Sequence, residues 1–258
     1  MNGVIEVVPD FTTQQQADIQ EAADKWSQII GTDTTVNIKV GMDLQEHSPN
    51  GVLAAAGPTQ VDTSTMLPSA GEMHFDPSDL NGSGADLDGT TIGSTGKSKL
   101  YYTALHEIGH ILGIGTFWKI DLTANGGSNR NWLVDTETDA PYTASADASS
   151  GNTPGYVGPA GGSAAIQQYN LLTGNNYTYL PVEDDGGQGT ALAHPEEGDG
   201  DTRTVGLAFA PGLEAELMTG WIDDVHMPIS AVTIGFLDDL GWNVNYQLAE
   251  SVTLQQQS

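Results

Sequence analysis

Residues 98–113, SKLYYTALHEIGHILG, restrict the possible folds of this chain more than any other stretch. Leu100, Ala104, Leu105, Ile108, Ile111 and Leu112 recur at the spacing of one helical face, and Gly113 supplies the stop. A helix of this kind has to be buried along that face. Its other side carries His106, Glu107 and His110. Positions i and i+4 of a helix sit one above the other, with Cβ atoms roughly 6 Å apart. His106 and His110 can therefore both aim a ring nitrogen at one metal ion at about 2.0–2.1 Å. Glu107 is rotated by about 100° along the helix, awkward for ligation but able to take a proton from a water activated beside it. The fold must wrap this helix and still leave polar chemistry along one side of it.

The chain contains no cysteine, so it has no disulfide, no thiol nucleophile and no thiolate zinc site. Any zinc must be held by His, Asp or Glu. A catalytic zinc needs a third protein ligand and an open position. Three residues beyond Gly113, where one large group of zinc proteases has that ligand, this chain has Thr116, a poor donor. Four further histidines are available. His47 lies in a polar turn, QEHSPN, and His74 on an expected strand, GEMHFD. His194 ends a long polar region at GTALAHPEE, and His226 precedes the last helix at DDVHMP. Glu137, in VDTETD, is a carboxylate alternative with no helix around it to hold it rigid. The residues by themselves leave the choice open.

Elsewhere the periodicities predict an α+β chain. VIEVVP (4–9) reads as a strand. Thr12 or Thr13, each with a glutamine three residues on, caps an amphipathic helix over 13–30 that Gly31 ends. TTVNIKVGM (34–42) alternates as a strand does. GVLAAAGP (51–58) and GEMHFDP (71–77) read as two more strands, each closed by proline. Residues 115–193 are rich in Gly, Ser, Thr, Asn and Asp and read as a long insertion, mostly loop, with one helix over 163–172. Ser230 caps a final helix that Gly241 ends. The expected organisation is an N-terminal subdomain over 1–114, a C-terminal subdomain over 115–245, and a tail or linker over 246–258. No internal repeat is visible.

Thirty-four acidic residues against seven basic ones give a net charge of −27. Such a polyanion repels nucleic acid and anionic membranes, and no run of eighteen apolar residues is present to insert into a bilayer. The carboxylates read first as a hydrated surface and second as oxygen ligands for calcium. The opening MNGVIEVVPD lacks the basic and apolar regions of a signal peptide, so any export signal is expected to lie outside this chain.

HEIGHILG with no nearby histidine, a long insertion, a later histidine in GTALAHPEE and then ELMTGWIDD together resemble the leishmanolysin family of metzincin zinc proteases. In that family the third histidine is displaced by an inserted segment, and a methionine turn floors the metal. The resemblance implies a twisted mixed sheet, a backing helix, an active-site helix, a zinc cleft and an irregular C-terminal subdomain with one terminal helix. It implies His106, His110 and His194 as zinc ligands, Glu107 as general base and Met218 as the turn methionine. GVLAAAGP followed by GEMHFDP is similar to the two strands before the active-site helix of metzincins. The first of these would bind an extended peptide by strand addition through Val52, Leu53, Ala54, Ala55 and Ala56. The chain departs from familiar members in lacking cysteine and in having Pro195 where an aromatic residue is expected after the third histidine.

The function these expectations define is a monomeric zinc endopeptidase, extracellular or at a cell surface, acting on peptide or protein substrates. The competing reading is a catalytically decayed, calcium-stabilised surface or adhesion module on a metzincin fold. Decay strikes the base or a ligand first, and Glu107 and both helix histidines are present. A zinc hydrolase of non-peptide substrates is a third reading, because HExxH specifies metal and base but not the acyl group.

Overall fold

Local signals start the main helices where the pattern places them. The Thr12 hydroxyl accepts a hydrogen bond from the Gln15 amide (3.3 Å), and the Gln15 side chain accepts one from the Thr12 amide (2.8 Å). This reciprocal box satisfies two amides that helix geometry leaves unpaired. The computed structural model describes residues 5–7, 11–31, 35–43, 52–80, 87, 91–92, 95–136, 138–142, 154–184, 189–197, 211–223, 225–252 and 254. The chain is α+β and divides into two units, each assembled from separate segments.

The first unit takes residues 1–113, 222–227 and 243–248. It contains β1 (Ile5–Val7), α1 (Thr13–Ile29), β2 (Asn37–Gly41), β3 (Ala54–Asp62), β4 (Leu67–Phe75), the short α2 (Pro77–Leu80), β5 (Thr91–Ile92), β6 (Lys97–Ser98) and α3 (Lys99–Ile111). Four strands form a mixed sheet in the order β1-β2-β4-β3. β1 and β4 run parallel to β2, and β3 runs antiparallel to β4 at the edge. β3 does not stop at Pro58 but continues to Asp62, with irregular register between Pro58 and Val61. An edge strand tolerates proline because one side of it needs no ladder amide. Ala54, Ala55 and Ala56 lie in β3, whereas Val52 and Leu53 precede it. The Leu53 carbonyl accepts a bond from the Asp76 amide at 3.1 Å.

α3 packs against α1 on one side and against β3 and β4 on another. The Trp26 indole N–H, fully buried on α1, donates to the Leu105 carbonyl at 2.7 Å. Ser98 caps α3 through the Tyr101 amide and also donates to Asp18 of α1 at 2.5 Å; next to it Lys97 pairs with Glu21. On the sheet side Gly71 is required by close approach. A Cβ there would stand 2.4 Å from Ile111 Cγ2, so no side chain fits between β4 and the end of α3. Every residue from Leu100 to Ile111 is buried. The helix is enclosed on all sides, not along one face only.

The second unit takes residues 114–221, 228–242 and 249–258. It contains β7 (Lys119–Asp121), β8 (Asn129–Asn131), β9 (Leu133–Asp135), β10 (Pro154–Tyr156), α4 (Ala164–Thr173), β11 (Leu180–Pro181) and α5 (Ala231–Leu240). The stretch expected to be mostly loop thus holds a hairpin, β7–β8, and a three-stranded sheet in the order β11-β10-β9. Strands of two or three residues are too short to show a period of two. Trp118, Tyr156 and Phe236 make its core, with ring centroids 4.9–5.0 Å apart. Asp239, at the end of α5, accepts from the Tyr156 hydroxyl (2.9 Å), the Ser163 hydroxyl (2.6 Å) and the Ala164 amide (2.6 Å). A carboxylate there complements the positive N-terminal end of α4.

The chain around the start of the expected tail is hydrogen-bonded, each part within its own unit. The Asn245 amide donates to the Ile29 carbonyl (2.8 Å), and the Glu250 amide donates to the Ile229 carbonyl (2.9 Å). No described helix is long and apolar enough to cross a membrane.

Candidate metal centre

α3 brings its two histidines together as the i, i+4 spacing requires. Nε2 of His106 and Nε2 of His110 are 3.0 Å apart, and the two rings meet nearly edge to face at 80°. His194 joins them: one ring nitrogen from each of the three histidines lies within 4.8 Å of the others. All three are buried, with 6 %, 7 % and 3 % exposure respectively. Three imidazoles suit zinc better than the oxygen-seeking calcium or magnesium. Nitrogens this close reach a shared cation at about 2.0–2.1 Å by small side-chain adjustments. The group could hold a metal ion, and its donor set fits zinc.

The orientation of His194 is fixed from within the second unit. Its Nδ1 lies 2.7 Å from the Thr190 carbonyl oxygen, an acceptor only, so Nδ1 carries the proton and Nε2 keeps its lone pair. An outer hydrogen bond of this kind sets the tautomer of a metal-binding imidazole. The backbone around it is pinned on both sides. The Glu183 amide donates to the His194 carbonyl (3.0 Å), and Val182 bridges to Pro195. Gly115, four residues past the end of α3, packs on Ala193 so closely that a Cβ would lie 2.1 Å from the Ala193 carbonyl oxygen. Gly115 also has φ +72°, in the left-handed region. A glycine in a Gly-rich stretch carries no sequence signal of such a contact.

Glu107 follows His106 on α3 and is 7 % exposed. Burial pushes its carboxyl up to about 8 in the metal-free protein. A cation nearby would draw it down again by favouring the carboxylate.

Met218 is fully buried in a turn organised by Glu216, a residue whose role the sequence did not disclose. Glu216 accepts from the Met218 amide (2.6 Å) and the Ser230 amide (2.9 Å). His74 lies on β4, half-buried, with Nδ1 2.6 Å from Asp43 and Nε2 3.6 Å from Glu72. His226 belongs to the first unit and pairs with Tyr102, whose hydroxyl is 2.8 Å from its Nδ1. Neither joins the three-histidine group. His47 and Glu137 lie outside the described residues. One further set of potential ligands occurs among the described residues: one oxygen each from Glu183, Asp184 and Glu196, within 4.8 Å of one another. This donor set is of the calcium type.

Comparison of the chain with protein-family models, with curated proteins and with solved structures finds no match.

Proposed function

We propose that the protein is a zinc-dependent endopeptidase of the leishmanolysin-like metzincin type. The observation that carries this reading is the convergence of three buried imidazoles, two from one helix and one roughly eighty residues further on; Glu107, next in sequence to His106, is buried too. Bound zinc would supply Lewis acidity toward a peptide carbonyl and toward water. His106, His110 and His194 would hold it through nitrogen lone pairs. Glu107 would take the proton from the attacking water and return it to the leaving amine. Its desolvated position raises its affinity for that proton, which suits a base that must also act as an acid.

The edge position of β3 supports a peptide as the substrate. Among the described residues, Ala54, Ala55 and Ala56 stand on a strand with one neighbour, β4, and an extended peptide would add to the other side. The proposed setting is extracellular or at a cell surface, with the chain acting as a monomer. The test is direct. The purified chain should bind one zinc per molecule and cleave an unfolded protein such as casein, with activity lost to a chelator and restored by zinc. Zinc binding without proteolysis, together with ester or amide hydrolysis of small substrates, would point to the non-peptide hydrolase instead. Absence of zinc binding would remove the reading altogether.

A further inference from the structure

We propose that Glu216 is a positioning residue for His194, acting through Gly220 and Thr190. The inference rests on the reading of His106, His110 and His194 as metal ligands. All four of the residues it connects belong to the second unit.

Glu216 is a fully buried acid that the proposed chemistry does not use. One carboxylate oxygen accepts from the Met218 amide at 2.6 Å and the other from the Ser230 amide at 2.9 Å. Its own carbonyl accepts from the Thr219 amide (3.2 Å) and hydroxyl (2.8 Å). The Leu217 amide donates to Pro228 (3.0 Å). These bonds fix the turn over residues 216–219 against the start of α5. Burying a carboxyl group is costly unless its oxygens are hydrogen-bonded, and here both accept from backbone amides.

The next residue transmits the position of the turn. A Cβ on Gly220 would stand 2.5 Å from Thr190 Cγ2, so the Gly220 backbone lies directly against Thr190. Thr190 in turn offers its carbonyl to His194 Nδ1 at 2.7 Å. The turn therefore backs Thr190, whose carbonyl accepts from His194 Nδ1 and so leaves Nε2 able to bind a cation. A displaced Thr190 loosens that bond, and the ring loses its fixed direction.

Three variants of the full chain test this: Glu216→Gln, Gly220→Ala, and Gly220→Ala combined with Thr190→Ser. The last removes the Cγ2 methyl that the new Cβ would meet. Two readouts are taken: zinc affinity by competition with a chromogenic chelator, and the His194 tautomer in metal-free protein from imidazole ¹⁵N shifts. Gly220→Ala should weaken zinc about tenfold or more, within the range for outer-shell partners, and should mix the tautomers. The double variant should recover both. Glu216→Gln places an NH₂ where a backbone amide needs an acceptor and should act like Gly220→Ala; if it fails to fold, the glycine pair decides. Wild-type zinc affinity and an unchanged tautomer in folded Gly220→Ala would overturn the inference, as would failure of Thr190→Ser to rescue. If the wild type itself binds no zinc, the metal reading falls, while the metal-free tautomer still judges the link from Glu216 to His194.

Discussion

Gly115→Ala is the substitution whose consequences the geometry defines most sharply. The new Cβ would meet the Ala193 carbonyl oxygen at 2.1 Å, with the Ala193 carbon and Cα at 2.9 and 3.0 Å. An ordinary carbon–oxygen approach begins near about 3.3 Å, so one backbone must move by roughly 1 Å. Left-handed φ adds about 1 kcal/mol for a residue with a Cβ, and the overlap adds about 1–3 kcal/mol in the manner of an overpacked core. A loss of about 2–4 kcal/mol lowers Tm by roughly 5–15 °C in a chain of this size. Because His194 directly follows Ala193, the same shift exceeds the tolerance of about 0.2 Å on metal–ligand distances. Zinc affinity should then fall by about tenfold to a hundredfold, the range seen when ligand support is removed. Gly126→Ala is the control. It has φ +85° and nothing within 4 Å of the added Cβ, so it incurs the backbone term alone. Thermal melts of metal-free protein and chelator competition measure both effects. If Gly115→Ala matched Gly126→Ala in Tm and kept wild-type zinc affinity, the contact with Ala193 would have no bearing on the site.

Four further outcomes follow from the site. Glu107→Gln should retain zinc and lose peptidase activity by about two to four orders of magnitude, the usual share of a general base; a casein assay with metal analysis checks this. The Glu107 carboxyl is raised in the fold from 4.5 to about 8, so the folded state holds that proton more tightly than the unfolded one. Its contribution to stability is complete below pH 4.5 and lost as pH rises through about 8. Melts of metal-free protein should therefore decline between pH 5 and 8 more steeply for the wild type than for Glu107→Gln. His194→Ala should abolish tight zinc binding, whereas His226→Ala should leave the stoichiometry at one, by metal analysis after dialysis. Trp26→Phe removes the bond to the Leu105 carbonyl and leaves a smaller ring at a fully buried site, and should cost about 1–3 kcal/mol in urea unfolding.

The parts of the structure legible in the sequence were those set by local chemistry. Thr12 with Gln15, and Ser230, mark helix starts because the side chain and its amide partner are two or three residues apart. His106 and His110 face one point because of helical pitch alone. What the sequence concealed depends on distant approach. Gly115 against Ala193, Gly71 against Ile111 and Gly220 against Thr190 are contacts that a glycine permits without announcing. Glu216 looked like one more acid in a chain with 34 acidic residues, and its complete burial with both oxygens held by amides is visible only in the fold. β3 passed through Pro58 because it lies at an edge, a property of topology that no local pattern encodes. The short strands of the second unit are held by pairing partners and by the aromatic cluster, not by intrinsic preference.

The first unit draws its last pieces from residues 222–227 and 243–248. A ribosome making this chain releases α1, the sheet and the apolar α3 roughly a hundred residues before it makes the segments that complete their packing. The emerging N-terminal half must wait, with Ile29 still lacking the amide of Asn245. The first unit therefore completes its packing only after residues 243–248, near the far end of the sequence, have been made.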